Sequence, residues 1–580
     1  MSPSADAVQV GTEVTAAWTA AHPTDCRSGI TSRSPESINP KGEYTMKLHT
    51  ASFCAASLAM TCSIHAATIT VGPGGSGSGY DHALIADAVT ASLSGDTIKI
   101  DAGTYYETID TAGKAIELVA PAGLGSVIID GGGAQPLVIC TSGETSGTTF
   151  RDLVLQNGAH NNGGAIRIGG SSPSFIGCLI QDNHATDNGG GAWLDTSNSV
   201  FEHCRFLNNE AGGQGGSVYA YGSAPVFLDC QFEHSTAGSS AGPGGPADGG
   251  GACMESCQAL FERCLFGDNS AASMGGGLAG NYTAIALHEC TFKANQADHG
   301  GGMGLEKGTV HSASSSFVDN QAATNGGGFW IGDQADGTLV HNHFRSNHAN
   351  FGGALHAYVC SGMLQIDDCD FEYNNASDRG GALYMQRHDR AAIVKSRFKK
   401  NRAMFGGALG SESSSTIQVG DCAFDSNAAD DAGGGIWLTD GRCWVGRSIF
   451  ENNQARYNGG AAGAAGGDLF LWRSKVERNR VKGFGGGLYA VDSSLLMANH
   501  CEIIRNRAGV NGGGLFADNG STIRLRSTHV VANWSSGSST GALGVHSLAN
   551  ASLFFSTFQA NTPTHVDGAW TDLGGNVFIP

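Results

Sequence analysis

The stretch from Phe405 to Gly435, FGGALGSESSSTIQVGDCAFDSNAADDAGGG, decides how the rest of the chain is read. It opens on Gly406-Gly407 and closes on Gly434-Gly435, 28 residues on, with Val419, Cys422, Phe424 and Asn427 between them. The plan recurs in both directions. Glycine pairs run from Gly163-Gly164 to a degenerate Gly541-Ala542, fifteen in all, at spacings of 25 to 28 residues with a single one of 35. A second signature follows each pair: apolar-x-x-Cys/Ser-x-Phe-x-x-Asn, as in Phe201, Cys204, Phe206, Asn209 and in Ile366, Cys369, Phe371, Asn374. The Asn is present in fourteen of the fifteen units, Ser235 being the exception.

Within a unit, apolar residues alternate over only three to five positions between Gly, Asn and Ser. That is the pattern of short strands and turns; a helical repeat needs stretches of about ten residues at 3.6 spacing. A unit of about 26 residues with three short strands is one coil of a parallel β-helix, whereas propeller blades need about 40 or more. Stacking then lays equivalent residues over one another at about 4.8 Å. Phe falls on Phe inside. Asn falls on Asn at a bend, where it tolerates left-handed geometry and bonds the next coil. The glycines supply positive φ where the chain turns.

The composition agrees. Of 580 residues 88 are Gly, without a collagen period, and 41% are hydrophobic, too many for a disordered chain. Charge is 33 − 52 = −19, which argues against a nucleic-acid partner. The N-terminus reads separately. Residues 1–45 are a leader, untranslated or disordered, and 46–66 carry the plan of a signal peptide: Met46-Lys47, then small and apolar residues from Ala51 to Ser63. No other stretch is apolar enough to cross a bilayer. The expected divisions are 67–160 for a cap helix and irregular first coils, 161–563 for the regular repeats and 564–580 for a C-terminal cap. The mature chain is expected to be exported and monomeric, either secreted, at the cell surface or periplasmic.

The paired Gly-Gly-Ala/Leu/Ile and Phe-x-x-Asn motifs resemble the repeats of the polymorphic outer-membrane protein family. More broadly, the chain resembles the right-handed parallel β-helix, or pectin-lyase-like, superfamily. The resemblance implies an all-β solenoid of about fifteen regular coils. It also implies that an amphipathic helix (Ile85, Val89, Leu93, capped by Asp81) plugs the open end, with Ile98–Ile100, Ile116–Val119, Val127–Ile129 and Leu137–Ile139 as first coils. The membrane barrel that ends family autotransporters is not expected here.

Thirteen Cys remain once Cys26, Cys54 and Cys62 are set aside, and eight of them share one rung position, from Cys178 to Cys501, with Ser in five other units. A position that takes Cys or Ser wants a slim side chain, so these are read as packing residues.

Site candidates are ladders that break the uniform pattern. Carboxylates recur on the turn after the glycines, and three pairs come from adjacent coils: Glu306 with Asp333, Glu412 with Asp440, and Asp492 with Asp518. Stacked like charges repel unless a cation lies between them, and calcium is the cation an exported protein meets. Solvated turn formers are the plainer reading. Arg387, Arg390 and Arg442 join Glu412 and Asp440 on that turn. The superfamily's polysaccharide lyases use a similar kit, with calcium on the uronate and an Arg or Lys removing the adjacent proton.

Residues 376–530 carry 20 basic against 14 acidic groups, a local balance of +6. Arg402, Arg480 and Arg507 follow the Asn of their coils, with Arg478 and Arg505 adjacent, and form a stripe suited to an anionic glycan. Trp193, Trp330, Trp437, Tyr489 and Phe516 are read as inward packing, or, if outward, as a sugar-stacking row. The leading expectation is a non-catalytic, adhesin-like module that binds polysaccharide or cell-surface glycan and needs no cofactor. A polysaccharide lyase on an acidic glycan is the alternative, and a structural envelope protein the second.

Overall fold

The computed structural model describes residues 66–238, 247–360, 362–387, 390–537 and 540–580. The leader and signal-peptide readings fall on residues outside these, as does most of the insert that widens one spacing to 35. The described residues form a parallel β-helix of about 19 turns, with every strand pairing parallel. A regular coil holds four strands rather than the expected three. In the deciding stretch they are Leu409–Glu412, Thr416–Gly420, Ala423–Asp425 and Ala428–Ala432. The fourth, just after the Asn, is as short as two residues in other coils (Glu210–Ala211) and shows no alternation for a sequence reading to find. In this order the four sheets contain 18, 20, 19 and 15 strands. Only the fourth matches the fifteen repeats, because the irregular first coils and the last turn add strands to the other three.

Side chains at alternate strand positions fill the lumen. Ten phenylalanines from Phe206 to Phe450 form one column, with adjacent ring centroids 4.6 to 5.0 Å apart. A second column, Phe150 to Phe261, runs beside it. The shared Cys rung is buried and its thiols are free; Cys204 Sγ, for example, donates to the Phe175 carbonyl at 3.4 Å.

The Asn ladder is unbroken on either side of Ser235. In each link Nδ2 donates to the Oδ1 of the next Asn at about 3.0 Å and to a carbonyl one coil back. Left-handed backbone sits not on the Asn, as expected, but on the residue before it: Lys400 has φ 54° and Ser426 φ 58°. The Ser235 coil carries its own compensation, since Ser217 Oγ meets Ser235 Oγ at 2.7 Å.

The two glycines answer different needs. The first turns at positive φ, 64° at Gly406. The second, Gly407, lies so close to the next coil that a Cβ would collide with the carbonyls of Gly434 and Ala428. That second position is Gly in all fifteen units, including Gly541, while the first becomes Thr540 in the last. Gly407→Ala is therefore expected to cost more than about 3 kcal/mol, read as a lowered denaturation midpoint, because backbone rather than a side chain must move.

The N-terminal helix spans Ile85–Ala91 and adds Ile85, Ala88 and Val89 to the core at the open end. Its cap differs from the sequence reading. Glu107 accepts from the Ile85 and Ala86 amides at 2.9 Å, Asp81 instead bonds Thr70, and Leu93 is exposed. Among the described residues no helix is long and apolar enough to cross a membrane.

Candidate functional site

Each ladder Asn is buried at a bend and turns its two chain neighbours outward. In successive coils these flanking pairs are Asn452 and Gln454, Arg478 and Arg480, then Arg505 and Arg507. Strand register places Gln454, Arg480, Arg507 and Trp534 in one column. Arg478 and Arg505 form a second column across the bend, each in left-handed conformation at φ 55°. The four arginines, with Asn452 and Gln454, enclose a cavity of about 270 Å³, and Arg480, Arg507 and Trp534 border another of about 570 Å³.

The two columns differ electrostatically. Arg478 Nη1 lies 3.0 Å from Glu451 and Arg505 Nη1 lies 3.4 Å from Glu477. Lys475 holds Glu477 at 2.6 Å, and that bond, with Arg478 and Arg505 adding to it, lowers the carboxyl's pKa. Arg480 and Arg507 have no carboxylate partner among the described residues; Arg507 instead lies 4.7 Å from the centre of the Trp534 ring. Two unpaired guanidiniums stacked at coil spacing repel each other. An anion between them removes that cost, and their fork geometry suits carboxylate or sulfate. Arg402 belongs to the same column but lies three coils away, where Asp430 holds it at 2.7 Å. It is not part of the cluster.

The expected carboxylate pairs do not stack. Glu306 lies opposite Gly332, so Asp333 is one residue out of register. Continuing the strand register sets Glu412 against Thr439 and Asp518 against Val491, which takes Asp440 and Asp492 out of line as well. A one-residue offset turns a side chain to the other face or into the turn. Asp333, Asp440 and Asp492 are left-handed turn residues, as the plainer reading has them. Their partners differ too. Glu306 meets Lys307 at 2.8 Å, Glu412 is held by Arg379 and by Gln386 at 2.6 Å, Asp492 accepts from Asn519, and Asp518 meets His546 at 3.3 Å. No group of three or more metal-ligating side chains occurs among the described residues.

Of the lyase candidates, only Asp440 and Arg442 line one cavity; Arg387, Arg390 and Glu412 are not among its lining residues. Arg387 lies over the Tyr358 ring at 5.1 Å, and Arg390 and Arg442 flank Thr416 two coils apart. Arg442 is held by Asp468 at 3.3 Å.

The aromatic ladder is the second correction. Trp193, Trp330, Trp437, Tyr489 and Phe516 point out of the lumen, in register with Tyr219, His356 and Tyr384. They are not a free sugar-stacking row either. Residues preceding the first glycine fold over them: His299 on Trp330 at 5.4 Å, Phe351 on Tyr384 at 5.5 Å and Phe484 on Phe516 at 4.8 Å. For the aromatics, and for Glu412 with Asp440, units differ in whether two or three glycines are adjacent, and counting from the wrong one mixes neighbouring columns. Glu306 with Asp333 and Asp492 with Asp518 all come from units of three glycines and stand at different distances from them. Aligning every unit on the glycine whose Cβ space is blocked separates them.

Comparison with known protein families agrees with the fold. The family model described as "Right handed beta helix region" matches five overlapping windows, 138–245, 213–343, 246–398, 307–455 and 382–562. A curated relative, metabotropic glutamate receptor-like protein R of Dictyostelium discoideum, is 28% identical over 164 residues; the match covers 28% of this chain and only 10% of that protein. Among solved structures, the Siphovirus 9NA tailspike receptor binding domain is 9% identical over 86% of this chain and 74% of its own, with a TM-score of 0.15. An alginate lyase, AlyGC, is 11% identical over 85% of this chain and 98% of its own, also at 0.15. Scores this low say nothing about ligand or activity. The family model covers well over half of the sequence, and the chain belongs to the right-handed β-helix family.

Proposed function

We propose that the protein is an exported, monomeric, non-catalytic β-helix module that binds an acidic glycan on its arginine columns. One observation carries this reading: Arg480 and Arg507 are stacked without a carboxylate, at the edge of a cavity that ends on Trp534. A merely solubilising surface interleaves opposite charges, as Arg402 with Asp430 and Arg447 with Asp421 do elsewhere on this molecule. Trp534 adds an apolar face for a sugar ring beside the charges. Calcium is not needed for this contact, and chelation should leave it unchanged.

The test is affinity electrophoresis and calorimetry with pectate, alginate and chondroitin sulfate as probes. Binding of at least one is expected, weakening with added salt. Arg480→Glu with Arg507→Glu should weaken it on the order of 100-fold, since two hydrogen-bonded charges are lost. Undiminished binding by that double variant, or no binding by the parent, overturns the reading. So does release of unsaturated, ultraviolet-absorbing products that is abolished by Asp440→Ala, which would make the protein a lyase.

A further inference from the structure

The outer face of the second sheet carries another cavity, of about 560 Å³, lined by Ser413, Thr416, Asp440, Arg442 and Asp468. Register explains how it is built. Thr416, Arg442 and Asp468 form one outward column, and Gln418, Trp444 and Phe470 form the next, two residues along the same strands. Trp444 is 39% exposed, although it lies on a folded sheet. Phe470 covers one face of its indole, with centroids 5.5 Å apart and planes 12° from parallel. The other face is turned down the column toward Gln418, the coil that supplies Ser413 and Thr416 to the cavity.

The cavity's charge differs from that of the arginine columns. Asp440 and Asp468 against Arg442 give 1 − 2 = −1. A uronate or sulfate entering here meets two carboxylates. A neutral pyranose fits better: it has an apolar C–H face for the indole and a rim of hydroxyls that both donate and accept. Asp440 and Asp468 accept from such hydroxyls. Arg442, already oriented by Asp468 at 3.3 Å, donates, and the Ser413 and Thr416 hydroxyls do either.

We propose that this cavity, with the exposed part of Trp444 in the neighbouring column, forms a binding subsite for a neutral saccharide. It is separate from the arginine columns and does not depend on them. The test is a printed array of neutral and acidic glycans probed with the full chain. At least one neutral glycan is expected to bind, with a signal that persists in high salt. Trp444→Ala and Asp440→Asn should each lower its affinity about tenfold or more, and Trp444→Phe, which keeps a ring, should lose less than Trp444→Ala. Circular dichroism confirms that each variant is folded. No binding to any neutral glycan overturns the proposal, as does neutral binding that survives Trp444→Ala. Loss of acidic-glycan binding alone in Arg480→Glu with Arg507→Glu bears on the arginine columns and leaves this subsite standing.

Discussion

Asn401→Ala is expected to destabilise the solenoid by about 4 kcal/mol, among the largest costs of any single truncation in this protein. Asn401 is fully buried, and its amide serves three coils at once. Nδ2 donates to the Phe371 carbonyl at 2.9 Å and to Asn427 Oδ1 at 3.0 Å. Oδ1 accepts from the Asn374 backbone N–H at 2.9 Å and from Asn374 Nδ2 at 3.0 Å. Truncation takes a partner from two backbone groups and from two side-chain amides. Of the amides, Asn374 Nδ2 keeps the Phe344 carbonyl and Asn427 Oδ1 keeps the backbone N–H of residue 401. Each buried orphan costs about 1–3 kcal/mol. Relaxation of the neighbours and entering water reduce the sum. Asn401→Asp is expected to be nearly as costly, because it keeps the acceptor but loses the donor and places a charge in the ladder. Denaturant midpoints, together with hydrogen exchange at the Asn374 amide, measure this. A loss below about 1 kcal/mol would show that water can replace the ladder. Asn209→Ser is an informative companion: its own coil lacks the Ser217 hydroxyl that supports Ser235, so it should cost more than the natural Ser235 does.

The second large effect is acid lability set by one buried histidine. His356 is 2% exposed, lies near Tyr384 at 5.0 Å and Tyr358 at 6.2 Å, and neither ring nitrogen makes a well-formed hydrogen bond, Gln386 being only a weak neighbour. Burial, reinforced by His299 and opposed by Gln386, depresses its pKa from 6.5 to about 3. The unfolded chain takes up a proton at pH values where the folded chain does not, so stability falls as pH drops from 6.5 toward 3 and levels off below that. At about 1.4 kcal/mol per unit, the loss reaches roughly 3 kcal/mol near pH 4.5. His356→Phe keeps the aromatic packing and removes the titration. It is expected to match or exceed the parent at pH 7 and to flatten the decline between pH 6.5 and 4. Parallel stability profiles of parent and variant over that range would show that another group is responsible.

The divide between what the sequence reveals and what it hides follows from the symmetry of a solenoid. Translation along the axis gives equivalent residues equivalent surroundings, so a column needs only a period to be recognised. For this reason the Phe columns, the Cys/Ser rung and the Asn ladder were legible, as was the placing of Arg478, Arg480, Arg505 and Arg507 together. The helix cap was not. Asp81 has the spacing of a cap, but Glu107 reaches the helix amides from the connection between the strands Gly103–Tyr105 and Ile109–Asp110, and nothing local records that.

The sequence by itself therefore determined the parallel β-helix, its period and the identity of its columns, because these depend only on repetition. The tertiary structure decided the phase: which residue of each strand faces the lumen, which turn positions align, and which charges find partners. A slip of one residue reverses a side chain's direction, which is how the carboxylate pairs dissolved and the aromatic ladder moved outside. Pairing across coils joins residues about 26 apart with no local signature, so only the folded chain separates the satisfied Arg402 from the unpaired Arg480 and Arg507, and only there does Trp444 come to stand in the column beside the Thr416–Arg442–Asp468 cavity.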